Sequence, residues 1–273
     1  MAKNQKQPKK SNSFAFVKSS GMIMLACFVI AVLIFKFIFG DASHFEGGLS
    51  EGHPKPGDLL GTIYKGGVIV PVIQTLLLTV LALSVERYFA IKSAQGKGKL
   101  VKFVEDIKAN LSKGDLKSAK EVCDKQQGSV ANVVNSALIK YAEVEEDKSL
   151  SKEQQILAIQ KEVEEATALE LPMLSQNLPI IATITTLGTL MGLLGTVIGM
   201  IRSFAALAGA GGTDSIALSA GISEALINTA FGILTGALAV VSYNYFTSKI
   251  DTITYSIDEV GFSIVQTFAA THK

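Results

Sequence analysis

Four stretches of this chain are apolar enough, long enough and poor enough in charge to cross a bilayer as helices, and no other feature limits the fold as strongly. A helix needs about 20 mostly apolar residues to span a hydrocarbon core about 30 Å thick, where no water satisfies the backbone. The first stretch is Gly21–Phe39. Its one charge, Lys36, is near the end, where the side chain can snorkel to the headgroups. The second, Gly66–Val85, and the third, Leu178–Ile201, hold no charge, and the fourth, Gly221–Phe246, holds only Glu224. The expected fold class is therefore an all-α integral membrane protein with four transmembrane helices, a helical cytoplasmic domain and long helices extending from the membrane. It would have three if the first were cleaved as a signal peptide. The apolar run exceeds the roughly 7–15 residues of a signal core, and Gly40 and Ala42 make a weak cleavage site, so the helix is read as retained.

Lysine and arginine placement gives a direction. Lys3, Lys6, Lys9, Lys10 and Lys18 precede the first span. Only Lys55 and Lys65 lie between the first two spans, and basic residues are frequent from Arg87 to Lys161. Between the last two spans Arg202 is the single exception to a loop without basic residues. The resulting order is a basic cytoplasmic N-terminus (1–20), span one (21–39), a periplasmic loop (40–65), span two (66–89) and a helical cytoplasmic domain (90–177). Span three (178–203), a second periplasmic loop (204–220), span four (221–246) and a cytoplasmic C-terminal helix (247–273) follow.

The first loop, rich in Gly, Pro and acids, reads as irregular, with His44 and His53 solvated. In the large inner segment Leu100, Phe103, Val104, Ile107 and Leu111 recur at helical spacing, and Ser112–Asp115 breaks that helix. Leu116, Ala119, Val122 and Cys123 mark a second helix, and Val130–Tyr141 a third. The acidic run Glu143–Asp147 reads as a solvated bend. Ser151 with Gln154 fits a capping box that starts a helix aimed at span three through Ile156, Leu157, Ile159, Val163 and Ala166. Pro172 and Pro179 are the places where it could kink or stop.

Composition narrows the function. Charged residues are 18% of the chain, against about 25% in soluble domains, and the net charge of +1 leaves no basic footprint for nucleic acid. The two cysteines lie in unlike segments and the three histidines are scattered, so neither a disulfide framework nor a metal site is expected. No phosphate-binding loop, nucleophile–base pair or cofactor motif is visible, and an enzyme is not expected.

The unusual chemistry is in spans three and four. Gly188, Gly192, Gly195 and Gly199 put a glycine face on span three, where another backbone can approach closely. Thr185, Thr189, Thr196 and Ser203 form a neighbouring hydroxyl stripe. Span four answers with Gly221, Ala225, Gly232, Gly236 and Ala239, and adds the polar groups Glu224, Asn228, Thr229 and Thr235. An acid in a span marks an ion path or a partner, unless it sits at the interface. Glu224 and Asn228 share a helix face, and Thr229 lies about 140° round from Glu224.

The stretch Leu187–Met200, with Gly-Leu-Leu-Gly-Thr-Val-Ile-Gly-Met at its end, resembles the MotA/TolQ/ExbB proton-channel family. So do Gly221–Gly232, Ser84-Val85-Glu86-Arg87 at the end of span two, and Gly114–Asp115 with Ala119 and Cys123. The resemblance covers about residues 66–250. It implies an ExbB-like subunit of a homopentameric ring in the bacterial inner membrane, in contact with membrane lipids and with no cofactor. The ring would hold an ExbD-like single-span partner that carries the membrane aspartate, and would use the proton motive force to drive a TonB-like protein and outer-membrane transport. By motif position Thr196 and Thr229 line the proton path, with Glu224 as the membrane acid and Asn228 beside them. A TolQ-like envelope role or a MotA-like motility role is the alternative, and a structural scaffold or passive channel a further one. The sequence departs from the family pattern in its additional N-terminal span, in Asn228 where a small residue is usual, and in Ala239 where many relatives have proline.

Overall fold

The computed structural model describes residues 20–48, 50, 52–209 and 215–271. Among them the chain is helical, with one isolated antiparallel bridge, Phe45 to Pro54, and no strand. The helices are α1 (Ser20–Leu33, continued by a π-helical turn Ile34–Phe39), α2 (Leu59–Lys65), α3 (Ile69–Gln95), α4 (Leu100–Ser112), α5 (Leu116–Gln126), α6 (Gly128–Glu146), α7 (Lys152–Ser175), α8 (Leu178–Gly209) and α9 (Ser215–Thr271). Four helical stretches, containing α1, α3, α8 and α9, are long and apolar enough to cross a membrane. The chain is thus an all-α membrane protein. The basic N-terminal segment lies outside the described residues. The second loop is shorter than 204–220, because α8 runs on to Gly209 and α9 begins at Ser215.

The described residues form two compact units, one drawn from Met1–Leu83 and Thr183–Val240, the other from Ser84–Ala182 and Val241–Lys273. In the first unit, α1 buries only Cys27 and Ala31 and leaves Leu25, Phe28, Val29, Ile30 and Phe37 open, as a lipid-facing helix should. The loop after it is more ordered than its composition suggests. Asp58 caps α2, accepting from the Leu60 and Gly61 amides at 3.0 and 3.1 Å, and its other oxygen meets His44 Nδ1 at 2.7 Å. The His44–Asp58 pair keeps the Asp58 carboxyl below the ordinary carboxylate range, with the Gly61 amide the next cause. His44 is therefore a partner of Asp58 rather than a solvated side chain. Tyr64 stacks on Phe35 at 4.7 Å and meets the buried Phe45 edge-on. These contacts make the described residues of 42–65 a small cap.

In the second unit the helical periodicities resolve into cores. Phe103, Val104, Ile107 and Leu111 are the buried face of α4, and Ala119 and Cys123 that of α5. The break between them is Gly114 at φ 70°, followed by Asp115, which caps α5 through the Ser118 amide. Burial, with Asp124 beside it, pushes the Cys123 thiol up to about 12. The acidic run does not bend: α6 continues to Glu146 because Val144 is buried and holds the last turn. Ser151 and Gln154 form the reciprocal capping box of α7. Pro172 stays inside α7. The chain breaks instead at Asn177, with φ 67°, and Pro179 sits in the first turn of α8, where a missing N–H costs nothing. α9 passes 57 residues without interruption. Its last part buries Ile250, Ile253, Ile257, Val260, Ile264 and Phe268 at three- and four-residue steps, and Phe268 meets Tyr141 edge-on at 4.8 Å.

The Ser-Val-Glu-Arg segment has a structural role in this unit. Arg87 is 2% exposed. It is paired with Glu86, and its Nη1 donates to the Met173 and Leu174 carbonyls at 3.1 and 3.3 Å. Those are among the unpaired carbonyls at the end of α7, where a cation also suits the helix dipole. Asn177 donates to the same Glu86 at 3.2 Å, so one ion pair secures the break between α7 and α8.

Candidate functional site

The seam between α8 and α9 is built largely on glycines. A Cβ on Gly232 would lie 2.6 Å from the Gly188 carbonyl oxygen and 2.7 Å from the Gly192 Cα. A Cβ on Gly192 would meet the Asn228 carbonyl and the Gly232 Cα at 3.0 Å, and one on Gly236 the Thr185 carbonyl at 2.8 Å. Gly188 faces Gly236, Gly195 faces Asn228, and Gly199 faces Ala225. Backbone therefore touches backbone along several turns, and the glycines fix the spacing of the two helices.

That spacing brings two hydroxyls together. Thr196 Oγ1 on α8 and Thr229 Oγ1 on α9 are 2.6 Å apart. Both also reach the Gly192 carbonyl at 3.2 Å. Both side chains are half-buried. Thr229 thus faces α8 rather than the side that carries Glu224, as the helix wheel required. Two other hydroxyls of the stripe serve their own helix: Thr189 donates to the Thr185 and Thr186 carbonyls, and Ser203 to that of Gly199. Thr235 does the same, donating to Phe231. An exposed apolar strip of α8, with Leu193, Val197, Ile201 and Phe204, flanks Thr196.

Asn228 is 2% exposed and is a tether. Its Nδ2 donates to the Gly66 carbonyl at 3.0 Å, tying α9 to the turn that leads into α3. Its Oδ1 is buried with no partner among the described residues, beside a void of about 10 Å³ shared with Glu224 and Arg202. That is the room of about one water. Glu224 is half-buried and also faces a larger cavity of about 500 Å³, walled by Lys65, Arg202, Ser203 and the cap residues His53 and Lys55. Lys65 and Arg202 are the positive charges that bear on Glu224. Arg202, the exception to the charge rule in sequence, therefore belongs with this acid. The four polar residues named in sequence divide into a hydroxyl pair, Thr196 with Thr229, and two residues, Glu224 and Asn228, that line the same small void without bonding each other.

Sequence reasoning passed over one group at the site and a second, buried one on α3. Gly66 matters through its carbonyl, which periodicity cannot reveal. Gln74 on α3 is 6% exposed, and its Oε1 has no partner among the described residues. A glutamine in the middle of an uncharged span was the available signal. The described residues hold no group of three or more His, Cys, Asp or Glu placed for a metal ion.

Residues 130–259 match the model of the MotA/TolQ/ExbB proton channel family. Over 88 residues the chain is 38% identical to a putative biopolymer transport protein ExbB-like 3 of Synechocystis, 32% of this chain and 42% of that one. It is 36% identical over 84 residues to the Tol-Pal system protein TolQ of Haemophilus influenzae, 31% of this chain and 37% of that one. It is 34% identical over 85 residues to the biopolymer transport protein ExbB of Salmonella typhimurium, 31% and 35%. The matched stretches thus span well under half the length of these relatives.

Proposed function

Given that this chain belongs to the MotA/TolQ/ExbB proton channel family, we propose that it is an ExbB-like subunit of an inner-membrane motor driven by the proton motive force. Copies of the chain form a ring, taken as a pentamer, around an ExbD-like single-span partner whose aspartate carries the proton. The motor works on a TonB-like protein to energise outer-membrane transport. Both termini are cytoplasmic, and the cap of residues 42–65 faces the periplasm. The chain acts as a channel subunit and catalyses no reaction.

The Thr196–Thr229 contact carries this reading. A hydroxyl both donates and accepts, and it stays neutral while doing so. Two of them at 2.6 Å, held by rigid glycine-spaced helices, can take a proton relayed by ordered water on one side and return one on the other. The apolar strip beside Thr196 limits leakage of other ions. Glu224 lines the 500 Å³ cavity at the end of the seam, and in this reading it exchanges protons there with solvent. Each elementary charge that crosses about 100 mV releases about 2.3 kcal/mol, so successive protons can do work on the partner. Asn228 ties α9 to the turn before α3 through the Gly66 carbonyl.

Valine at either threonine keeps the shape and removes the hydroxyl. In the assembled complex reconstituted in vesicles, Thr196→Val and Thr229→Val are expected to lower proton flux by about tenfold or more with ring assembly unchanged, an effect of about 1.4 kcal/mol or more on the barrier. Thr235→Val, which removes a hydroxyl bonded only to its own helix, should leave flux intact. Undiminished flux in both seam variants would reject the proposed path and leave a scaffold role.

A second reading has its own support. A TolQ of Haemophilus influenzae is as similar as the ExbB relatives, 36% against 34–38%, over a stretch of nearly the same length. A TolQ-like output, or by wider kinship a MotA-like one, would use the same seam on another partner. The single-span protein that co-purifies with the chain, and its gene neighbours, distinguish these outputs.

A further inference from the structure

Two helices of this chain carry the same small motif where their uncharged runs end. On α3 it is Tyr88 followed one turn later by Lys92; on α9 it is Tyr245 followed by Lys249. Lys249 is the first charged residue on α9 after Glu224. On α3 only Glu86 and Arg87 come earlier, and they are paired with each other. Each lysine folds back over its tyrosine, with Nζ 5.8 Å from the Tyr88 ring centre and 5.7 Å from the Tyr245 ring centre.

The two motifs wall one cleft of about 210 Å³ within the second unit. Its floor is apolar, Ile91 and Phe246 each being 4% exposed, and Gln95 closes one end. Both tyrosine rings are about half exposed. Among the described residues no carboxylate lines the cleft, and neither ammonium has an ion-pair partner. The cleft therefore holds two positive charges with unused N–H donors over an apolar base.

Its depth along the helices identifies the occupant. From Ile69 to Tyr88, and from Ala225 to Tyr245, the helix rises about 30 Å, the thickness of the hydrocarbon core. The rings thus fall where aromatic belts meet the headgroups, and the lysines one turn beyond, at phosphate level. We infer that this cleft binds the phosphodiester of an anionic glycerophospholipid. Lys92 and Lys249 hold the phosphate oxygens, the tyrosine hydroxyls can donate to the same group, and Ile91 and Phe246 support the glycerol and the first acyl carbons. A zwitterionic lipid brings its own ammonium next to both lysines and suits the cleft less well. The site is independent of the proton path, so its failure would leave that proposal untouched.

The test uses the full chain purified in neutral detergent and titrated with phosphatidylglycerol or phosphatidylcholine, bound lipid being counted by native mass spectrometry. A parallel arm adds inorganic phosphate as competitor. Phosphatidylglycerol is expected to bind about tenfold more tightly than phosphatidylcholine, and Lys92→Gln with Lys249→Gln to lose about tenfold or more of that binding. The Lys92→Arg, Lys249→Arg pair keeps it, Lys97→Gln with Lys102→Gln has no effect, and the two single glutamine variants lose part. The single variants decide the matter if the double variant fails to fold. Equal binding of the two lipids, or undiminished phosphatidylglycerol binding in the glutamine variants, would overturn the inference. Displacement of the lipid by inorganic phosphate at stoichiometric levels would also overturn it and assign the site to free phosphate.

Discussion

One methyl group at Gly232 tests the view that the glycine seam sets the geometry of the hydroxyl pair. In Gly232→Ala the new Cβ would lie 2.6 Å from the Gly188 carbonyl oxygen, 2.7 Å from the Gly192 Cα and 2.9 Å from the Gly192 nitrogen. All three atoms are backbone of a helix, so no side chain can swing aside, and α8 and α9 must part by roughly half an ångström or more to restore ordinary contact. Such overpacking costs about 1–3 kcal/mol, and the better helix propensity of alanine returns up to about 1 kcal/mol. Three backbone contacts under 3.0 Å put the cost in the upper part of that range, and a net loss of about 1–2 kcal/mol should lower the melting temperature in detergent by about 3–6 °C. Parting the helices also stretches the 2.6 Å Thr196–Thr229 contact toward the limit of a hydrogen bond, so proton flux of the assembled complex should fall with stability. Gly261→Ala is the control. There the Cβ would meet one side chain, Val163 with its Cγ1 at 2.7 Å, in place of three backbone atoms; valine is stiff about χ1, so the melting temperature should still fall, but by less than in Gly232→Ala. If Gly232→Ala melts at or above the wild-type temperature with full flux, the seam is not tightly spaced and the reasoning fails.

Three further outcomes follow from the structure. Arg87→Ala leaves two α7 carbonyls unpaired and Glu86 with Asn177 alone, and should destabilise the protein by about 2–4 kcal/mol, measured by chemical unfolding; a loss below about 1 kcal/mol would contradict the clamp. Cys123, with its thiol pushed up to about 12 against an ordinary value of 9.0, should react with a thiol reagent at pH 8 about 10³-fold more slowly in the folded chain than after unfolding, in a Cys27→Ser background; near-equal rates would show the site is open. The Asp58 carboxyl is lowered by His44 and by the Gly61 amide, so its contribution to the cap is complete above the ordinary carboxylate range and is lost as pH falls through and below it. Amide-exchange protection at Leu60 and Gly61 should therefore fall on acidification, and Asp58→Asn should flatten that dependence; an unchanged profile in the variant would rule out the linkage.

Much of this protein was written in one dimension. Segregation of apolar residues into uncharged runs is a property of order alone, and a bilayer allows a single isolated span only one form, so α1, α3, α8 and α9 could be placed from sequence. The capping box at Ser151 and the break at Gly114 are likewise local chemistry. The glycine steps of four, three and four, and the threonines beside them, marked the faces that meet. What sequence left open depended on partners distant in the chain. The acidic run after Tyr141 stays helical because Val144 is buried, and Pro172 leaves α7 intact while Asn177 ends it. His44 finds Asp58, Asn228 finds Gly66, and Thr196 finds Thr229, each a contact between residues whose separation no periodicity records. Periodicity gives the face a residue occupies. Only the approach of a second backbone, to within a methyl's width at Gly232, decides which hydroxyl that face will meet.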